Sequence, residues 1–100
     1  MTLHEVGSEI DLKNNGRIII EINDKSVAVI YAEGKAHAFE NHCPHKGGPV
    51  GEGDIEDCII TCPLHGWQFD VRTGEGTSMP NSKLKILAVK IQDGKVFVEI

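Results

Sequence analysis

The stretch RIIIEINDKSVAVIYAEGKAHAF, residues 17–39, holds three apolar runs cut by two polar triplets. RIIIEI (17–22) and SVAVIYA (26–32) are rich in β-branched residues, which pack well on a pleated surface, and Asn23-Asp24-Lys25 between them reads as a hairpin loop. AHAF (36–39) follows the turn Glu33-Gly34-Lys35. Further along, LKILAVKI (84–91) and KVFVEI (95–100) flank Gln92-Asp93-Gly94, another hairpin signal. No window carries the apolar period of a long amphipathic helix. The expected fold class is all-β, an antiparallel β-sandwich or barrel base.

At 100 residues and 10.9 kDa, a single domain over residues 1–100 with one modest core is expected, leaving no room for a separate catalytic domain. Hydrophobic residues at 40% and charged residues at 25% suit a folded chain rather than a disordered one. A formal charge of -5 disfavours nucleic acid, whose phosphates need a basic face, and suits docking onto basic patches of other proteins. MTLHEVGSEI (1–10) lacks the basic and apolar segments of a signal peptide, and the longest apolar run, Val27 to Ala32, is too short to span a bilayer. A cytoplasmic protein with no membrane partner is therefore expected. Three cysteines leave an odd one under any disulfide scheme, which points to metal ligands or core residues.

The middle of the chain differs from its flanks. Residues 41–53 are crowded with Gly, Pro and His, and Met79-Pro80-Asn81 marks a second loop. Between them CIIT (58–61) and WQFDV (67–71) read as short strands, with a turn at Arg72-Thr73-Gly74. The simplest arrangement is a small cluster of hairpins inserted into the larger antiparallel base.

Two knots stand out in that insert, CPHKGG (43–48) and CPLHGW (62–67). Each offers one soft thiolate and one imidazole, so Cys43, His45, Cys62 and His65 make a four-ligand metal set for zinc or an iron-sulfur cluster. A lone loop His is usually solvated and a lone Cys usually a small buried hydrophobe. Repetition of the same pair in two Gly- and Pro-rich turns favours ligands. Zinc knuckles space paired ligands by two to four residues, whereas one residue separates Cys43 from His45, so zinc fits poorly. A binuclear cluster can instead take both cysteines on one iron and both histidines on the other.

With C-x-H, about sixteen intervening residues and then C-x-x-H, and with likeness running through HCPHKGG and CPLHGWQFDVRTGE, the sequence resembles the Rieske family. The resemblance implies a [2Fe-2S] cluster, with Cys43 and Cys62 on the inner iron and His45 and His65 on the outer one. It also implies a three-sheet fold whose inserted cluster-binding subdomain covers approximately residues 41–79, and a third, proline-containing loop, for which Ser78-Met79-Pro80 is the candidate. Two neutral imidazoles leave the oxidised cluster near zero charge, where four thiolates would make it dianionic. Gly47, Gly48 and Gly66 would permit tight turns that aim N–H groups at the sulfurs. The high-potential members bridge their ligand loops with two further cysteines at positions matching Gly48 and Leu64, and carry Ser and Tyr hydroxyls where Trp67 and Phe69 stand. Neither feature is possible here, which implies a potential near the low end of the Rieske range, about -150 mV.

Other residues read more plainly. Cys58 is expected to be a buried strand residue and Trp67 a core-packing one. His4 and His37 are expected to be solvated, His42 to be surface or hydrogen-bonded structure, and Glu52, Asp54, Glu56 and Asp57 form a solvated acidic run able to steer a basic partner. No flavin or nicotinamide fingerprint and no mononuclear iron triad is present. The resemblance implies an electron-transfer component rather than an enzyme, passing electrons from a flavin reductase to a terminal oxygenase. The small subunit of an NAD(P)H-dependent nitrite reductase, docked on its large subunit, is the alternative. A structural zinc module and a redox sensor are readings of other classes.

Overall fold

The computed structural model describes residues 2–42, 48–64, 66–77 and 82–100. In chain order the elements are β1 (Leu3–Ser8), α1 (Glu9–Asn15), β2 (Arg17–Ile22), β3 (Lys25–Ala32), β4 (Lys35–Glu40), a 3-10 turn (Val50–Glu52), β5 (Asp54–Glu56), β6 (Ile59–Thr61), β7 (Gln68–Asp70), β8 (Ile86–Leu87), β9 (Val89–Gln92) and β10 (Lys95–Glu99). They form three antiparallel sheets in the orders β1-β10-β9, β2-β3-β4-β8 and β5-β6-β7.

Local turn chemistry fixes much of this register. Asn23-Asp24, Glu33-Gly34, Asp57-Cys58 and Asp93-Gly94 all have positive φ at both positions. The flanking pairs Ile22 with Lys25, Ala32 with Lys35, Glu56 with Ile59 and Gln92 with Lys95 close directly over them. A two-residue loop of this kind matches the right-handed twist of the strands it joins. Three of the four loops fall where the sequence puts them. The fourth moves Cys58 out of the expected strand and into the turn, although its predicted burial holds.

Strand β3 explains how three sheets share one small chain. Val27, Ala28, Val29 and Ile30 are all fully buried, and alternate side chains point to opposite faces. Val27 and Val29 join Val6, Leu12, Ile22, Ala38, Val96 and Val98 on the side of the β1-β10-β9 sheet. Ala28 and Ile30 join Phe39, Val50, Ile60, Phe69, Val71 and Leu84 on the side of the β5-β6-β7 sheet. Complete burial of a side chain of this size contributes about 1.5–3 kcal/mol, so β3 anchors both layers.

Besides β1 and β5, where no strand was expected, two features lie outside the expectation. The stretch LKILAVKI is two strands, because the chain leaves the central sheet after Leu87 and joins the outer sheet at Val89. An apolar run fits either sheet equally well, so composition leaves the crossing at Ala88 unmarked. The other is α1, a single short helix with one buried residue, Leu12. Its signals are terminal: the Ser8 hydroxyl accepts from the Asp11 N–H at 3.1 Å, and Gly16, at φ 81, donates its N–H to the Leu12 carbonyl at 2.8 Å. One apolar contact gives no period to detect. No helix among the described residues is long and apolar enough to cross a membrane.

Candidate functional site

Of the four sequence-predicted ligands, Cys62 lies within the described residues, while Cys43, His45 and His65 lie outside them. So does the predicted third loop, Ser78-Met79-Pro80. Strand β6 delivers Cys62 directly after Thr61, and its side chain sits in the core with Ile60 and Phe69 at 1% exposure. The Cys62 N–H donates to the Trp67 carbonyl at 2.7 Å, and the Gly66 N–H donates to the Cys62 carbonyl at 3.0 Å. Gly66 makes this return with φ 73, a left-handed conformation that glycine adopts without penalty. Trp67 packs half-buried against the same core, as the sequence suggests.

The turn between Cys62 and Trp67 meets the end of the first knot. A Cβ placed on Gly48 would run into Leu64 Cδ1 and lie 2.7 Å from Leu64 Cγ, so a larger residue there would displace the Leu64 side chain of the second knot. Here Gly48 and the apolar Leu64 side chain meet directly. Leu64 is nonetheless 52% exposed, so its outer side and Pro63 leave the site's rim accessible.

At the opposite end of β6 lies a polar group of another character. Cys58 precedes β6 in its tight turn, and Cys62 follows the strand's last residue. The buried Cys58 thiol donates to Glu33 Oε1 at 3.1 Å, and desolvation, reinforced by that hydrogen bond, raises its pKa. Arg72 binds Asp70 through Nε at 3.0 Å and Nη2 at 2.8 Å, which holds the Asp70 carboxyl below its ordinary pKa against the opposing effect of burial. His37 is half-buried rather than solvated, and desolvation lowers its pKa. No group of three or more His, Cys, Asp or Glu side chains among the described residues is placed to hold a metal ion; the Cys58–Glu33 hydrogen bond ties the β5-β6 turn to the β3-β4 turn, and Arg72 Nη1 lies 4.0 Å from the same Glu33 carboxylate.

The Rieske [2Fe-2S] domain model matches residues 2–92. The chain belongs to the Rieske family. It is 33% identical over 115 residues to a Rieske domain-containing protein of Homo sapiens, covering 95% of this chain and 73% of that one. It is 32% identical over 91 residues to the ferredoxin component of the naphthalene 1,2-dioxygenase/salicylate 5-hydroxylase systems of a Ralstonia species, covering 90% of this chain and 88% of that one. Among solved structures, a chain from the complex of reduced oxygenase and oxidised ferredoxin in carbazole 1,9a-dioxygenase superposes with a TM-score of 0.86 at 26% identity, covering 96% of this chain and 100% of that one. The fold is thus the Rieske fold and the family's cofactor is a [2Fe-2S] cluster. The described part of the Rieske site fits that cofactor: a buried thiol at Cys62, a left-handed glycine behind it, and the ends of two Cys/His knots in contact through Gly48 and Leu64.

The acidic run is exposed, as expected, and Asp54–Glu56 within it forms strand β5. Two residues that bond the segment following the first knot carried no marked signal in the sequence: Asn41, which accepts from the Gly51 N–H, and Arg17, which donates to the Gly51 and Gly53 carbonyls. The one hint at Asn41 is its place two positions before Cys43; Arg17, on β2, offers none.

Proposed function

We propose that this chain is a one-electron carrier in which Cys43 and Cys62 supply the thiolates, and His45 and His65 the imidazoles, for one [2Fe-2S] cluster. The contact of Gly48 with Leu64 carries the ligand assignment, since it brings the ends of the two knots together. A bound [2Fe-2S] cluster takes up and releases single electrons, and this chain's part is to hold, shield and present it. Burial of Cys62 keeps water from its thiolate, and the exposed Pro63 and Leu64 give a partner protein an apolar rim to approach.

The partners are a reductase that supplies the electron and a terminal oxygenase that receives it. Similarity to a dioxygenase-system ferredoxin and to a chain from an oxygenase–ferredoxin complex supports this choice. The cluster-binding subdomain spans approximately residues 41–79 of one domain over residues 1–100, a division supported by the place of β5-β6-β7 between β4 and β8 in the chain. The compartment is the cytoplasm, whose reducing thiol pool suits cysteines used as ligands.

Iron and acid-labile sulfide content, with the electron paramagnetic resonance spectrum of the dithionite-reduced protein, tests the proposal. Two irons and two sulfides per chain, with an average g value below that of an all-cysteine cluster, are expected. A colourless, sulfide-free protein carrying zinc would withdraw the electron-transfer reading. Stoichiometric co-purification with a large nitrite reductase subunit would move the partner assignment from transient docking to a lasting complex.

A further inference from the structure

The segment that follows the first knot is pinned by two side chains from other parts of the fold. Asn41 is the one buried polar residue among those described. Its backbone N–H donates to the Ser26 carbonyl at 2.8 Å and its Nδ2 donates to Ser26 Oγ at 3.1 Å, which fix it to β3. Its Oδ1 accepts from the Gly51 N–H at 2.6 Å. A backbone N–H only donates, so the carbonyl oxygen of the amide must face it. The chain is thereby closed from Asn41 to Gly51, around the stretch that holds Cys43 and His45.

Arg17 acts on the same segment from β2. Its Nη1 donates to the Gly51 carbonyl at 2.7 Å and to the Gly53 carbonyl at 2.9 Å, at the end of the 3-10 turn. Neither glycine has room for a side chain. A Cβ on Gly51 would lie 2.5 Å from Ala28 Cβ and 3.0 Å from Asn41 Oδ1, and one on Gly53 would strike the Thr61 carbonyl. The segment therefore lies flush between β3 and the end of β6, next to the residue that precedes Cys62. Charge-assisted and fully buried hydrogen bonds are the stronger and more directional kind, suited to holding a backbone in one place.

We propose that Asn41 and Arg17 are positioning residues that set the distance between the two ligand-bearing knots by clamping residues 51–53 between them. This rests on the electron-carrier reading and adds to it the part of the fold that holds the ligand geometry. Asn41 acts through the Gly51 N–H, and Arg17 through the Gly51 and Gly53 carbonyls.

The test uses the cluster-loaded protein and compares Asn41→Leu, Arg17→Met, Arg17→Lys and, as a control in the opposite core, Leu12→Ala. The readouts are the decay of visible absorbance in excess EDTA, the reduced-state paramagnetic resonance spectrum, and thermal unfolding. Asn41→Leu and Arg17→Met are expected to speed cluster loss roughly tenfold or more, the range typical of residues that hold ligands from behind, and to broaden the resonance lines. Arg17→Lys, which can still reach one carbonyl, should fall between Arg17→Met and the unaltered protein. Leu12→Ala should lower the unfolding temperature while leaving the spectrum unchanged. If Asn41→Leu does not fold, Asn41→Gln, which displaces both polar atoms by one methylene, carries the same expectation. Wild-type decay and an unchanged spectrum in the Arg17 and Asn41 variants, or an equal change in Leu12→Ala, would overturn the clamp alone. Absence of iron and sulfide from the unaltered protein would instead overturn the carrier reading on which it rests.

Discussion

On one face of β3, Val27 and Val29 pack with Leu12, Val96 and Val98; on the other, Ala28 and Ile30 pack with Val50, Cys58, Cys62 and Phe69. The first core consists of aliphatic side chains from β1, α1, β2, β4 and β10. The second contains two cysteines and is bordered by backbone too close for any Cβ at Gly51 and Gly53. Both cores are equally dry, yet they are built for different ends. Side chains filling volume stabilise the first, and substitution there is felt as stability. The second combines large side chains, among them Phe39, Phe69, Ile60 and Leu84, with backbone held at fixed positions, and substitution at that backbone is expected to be felt at the knots.

The largest test of that division is Cys62→Ser. Removing the one buried thiolate in the second knot should take iron and sulfide content close to zero, while amide exchange protection in β1, β9 and β10 persists. Loss of protection across both cores would mean that the layers do not separate in this way. The converse substitution is Leu12→Ala, expected to cost about 2–5 kcal/mol by chemical denaturation, the range for an aliphatic side chain cut from a full core. Its paramagnetic resonance spectrum and reduction potential should match those of the unaltered protein, and a shifted potential would break the comparison.

A smaller effect is expected at the far end of the second core. Hydrogen bonds from Arg72 depress the Asp70 carboxyl pKa, so that interaction stabilises the fold above the unfolded-state value of about 3.9 and is lost as pH falls through the lower folded value. Arg72→Met should raise the Asp70 pKa, weaken the fold at neutral pH and leave little difference in strong acid. Titration of the Asp70 carboxyl carbon by nuclear magnetic resonance checks the direction; an unmoved pKa would show that Arg72 is not its cause. The smallest effect belongs to Ile10, which is 71% exposed on α1. Ile10→Lys should change stability by no more than about 0.5 kcal/mol in a denaturation series, because it removes no packed surface. A larger loss would reveal a contact that the isolated chain lacks.

Much of the fold is legible in the residues. Asn23-Asp24, Glu33-Gly34 and Asp93-Gly94 mark their turns because few residues tolerate positive φ, and the β-branched runs between them have no better use than strands. The same logic fails at Asp57-Cys58, since Cys is not a usual left-handed residue and CIIT scans as unbroken strand. It also fails at Ala88, where the choice between two sheets is made by which neighbour is adjacent in space. The candidate site is legible where its chemistry is local: the Cys/His knots mark the proposed ligands by type and spacing. The contact of Gly48 with Leu64 and the hold of Arg17 on Gly51 and Gly53 join residues far apart in the chain, and no local pattern marks them.

The residues alone determined the all-β class, the strand pairings across three of the four tight turns, and a family whose ligands sit in two short motifs. Those properties depend on φ preferences, side-chain branching and donor chemistry, all expressed within a few positions. Tertiary structure decided which face of β3 each core occupies, where the chain passes from the central sheet to the outer one, and which side chains hold the two knots at their separation. These depend on close packing and directional hydrogen bonds between segments brought together only by the fold, where a single methyl group too many, as at Gly51, is excluded by atoms from another strand.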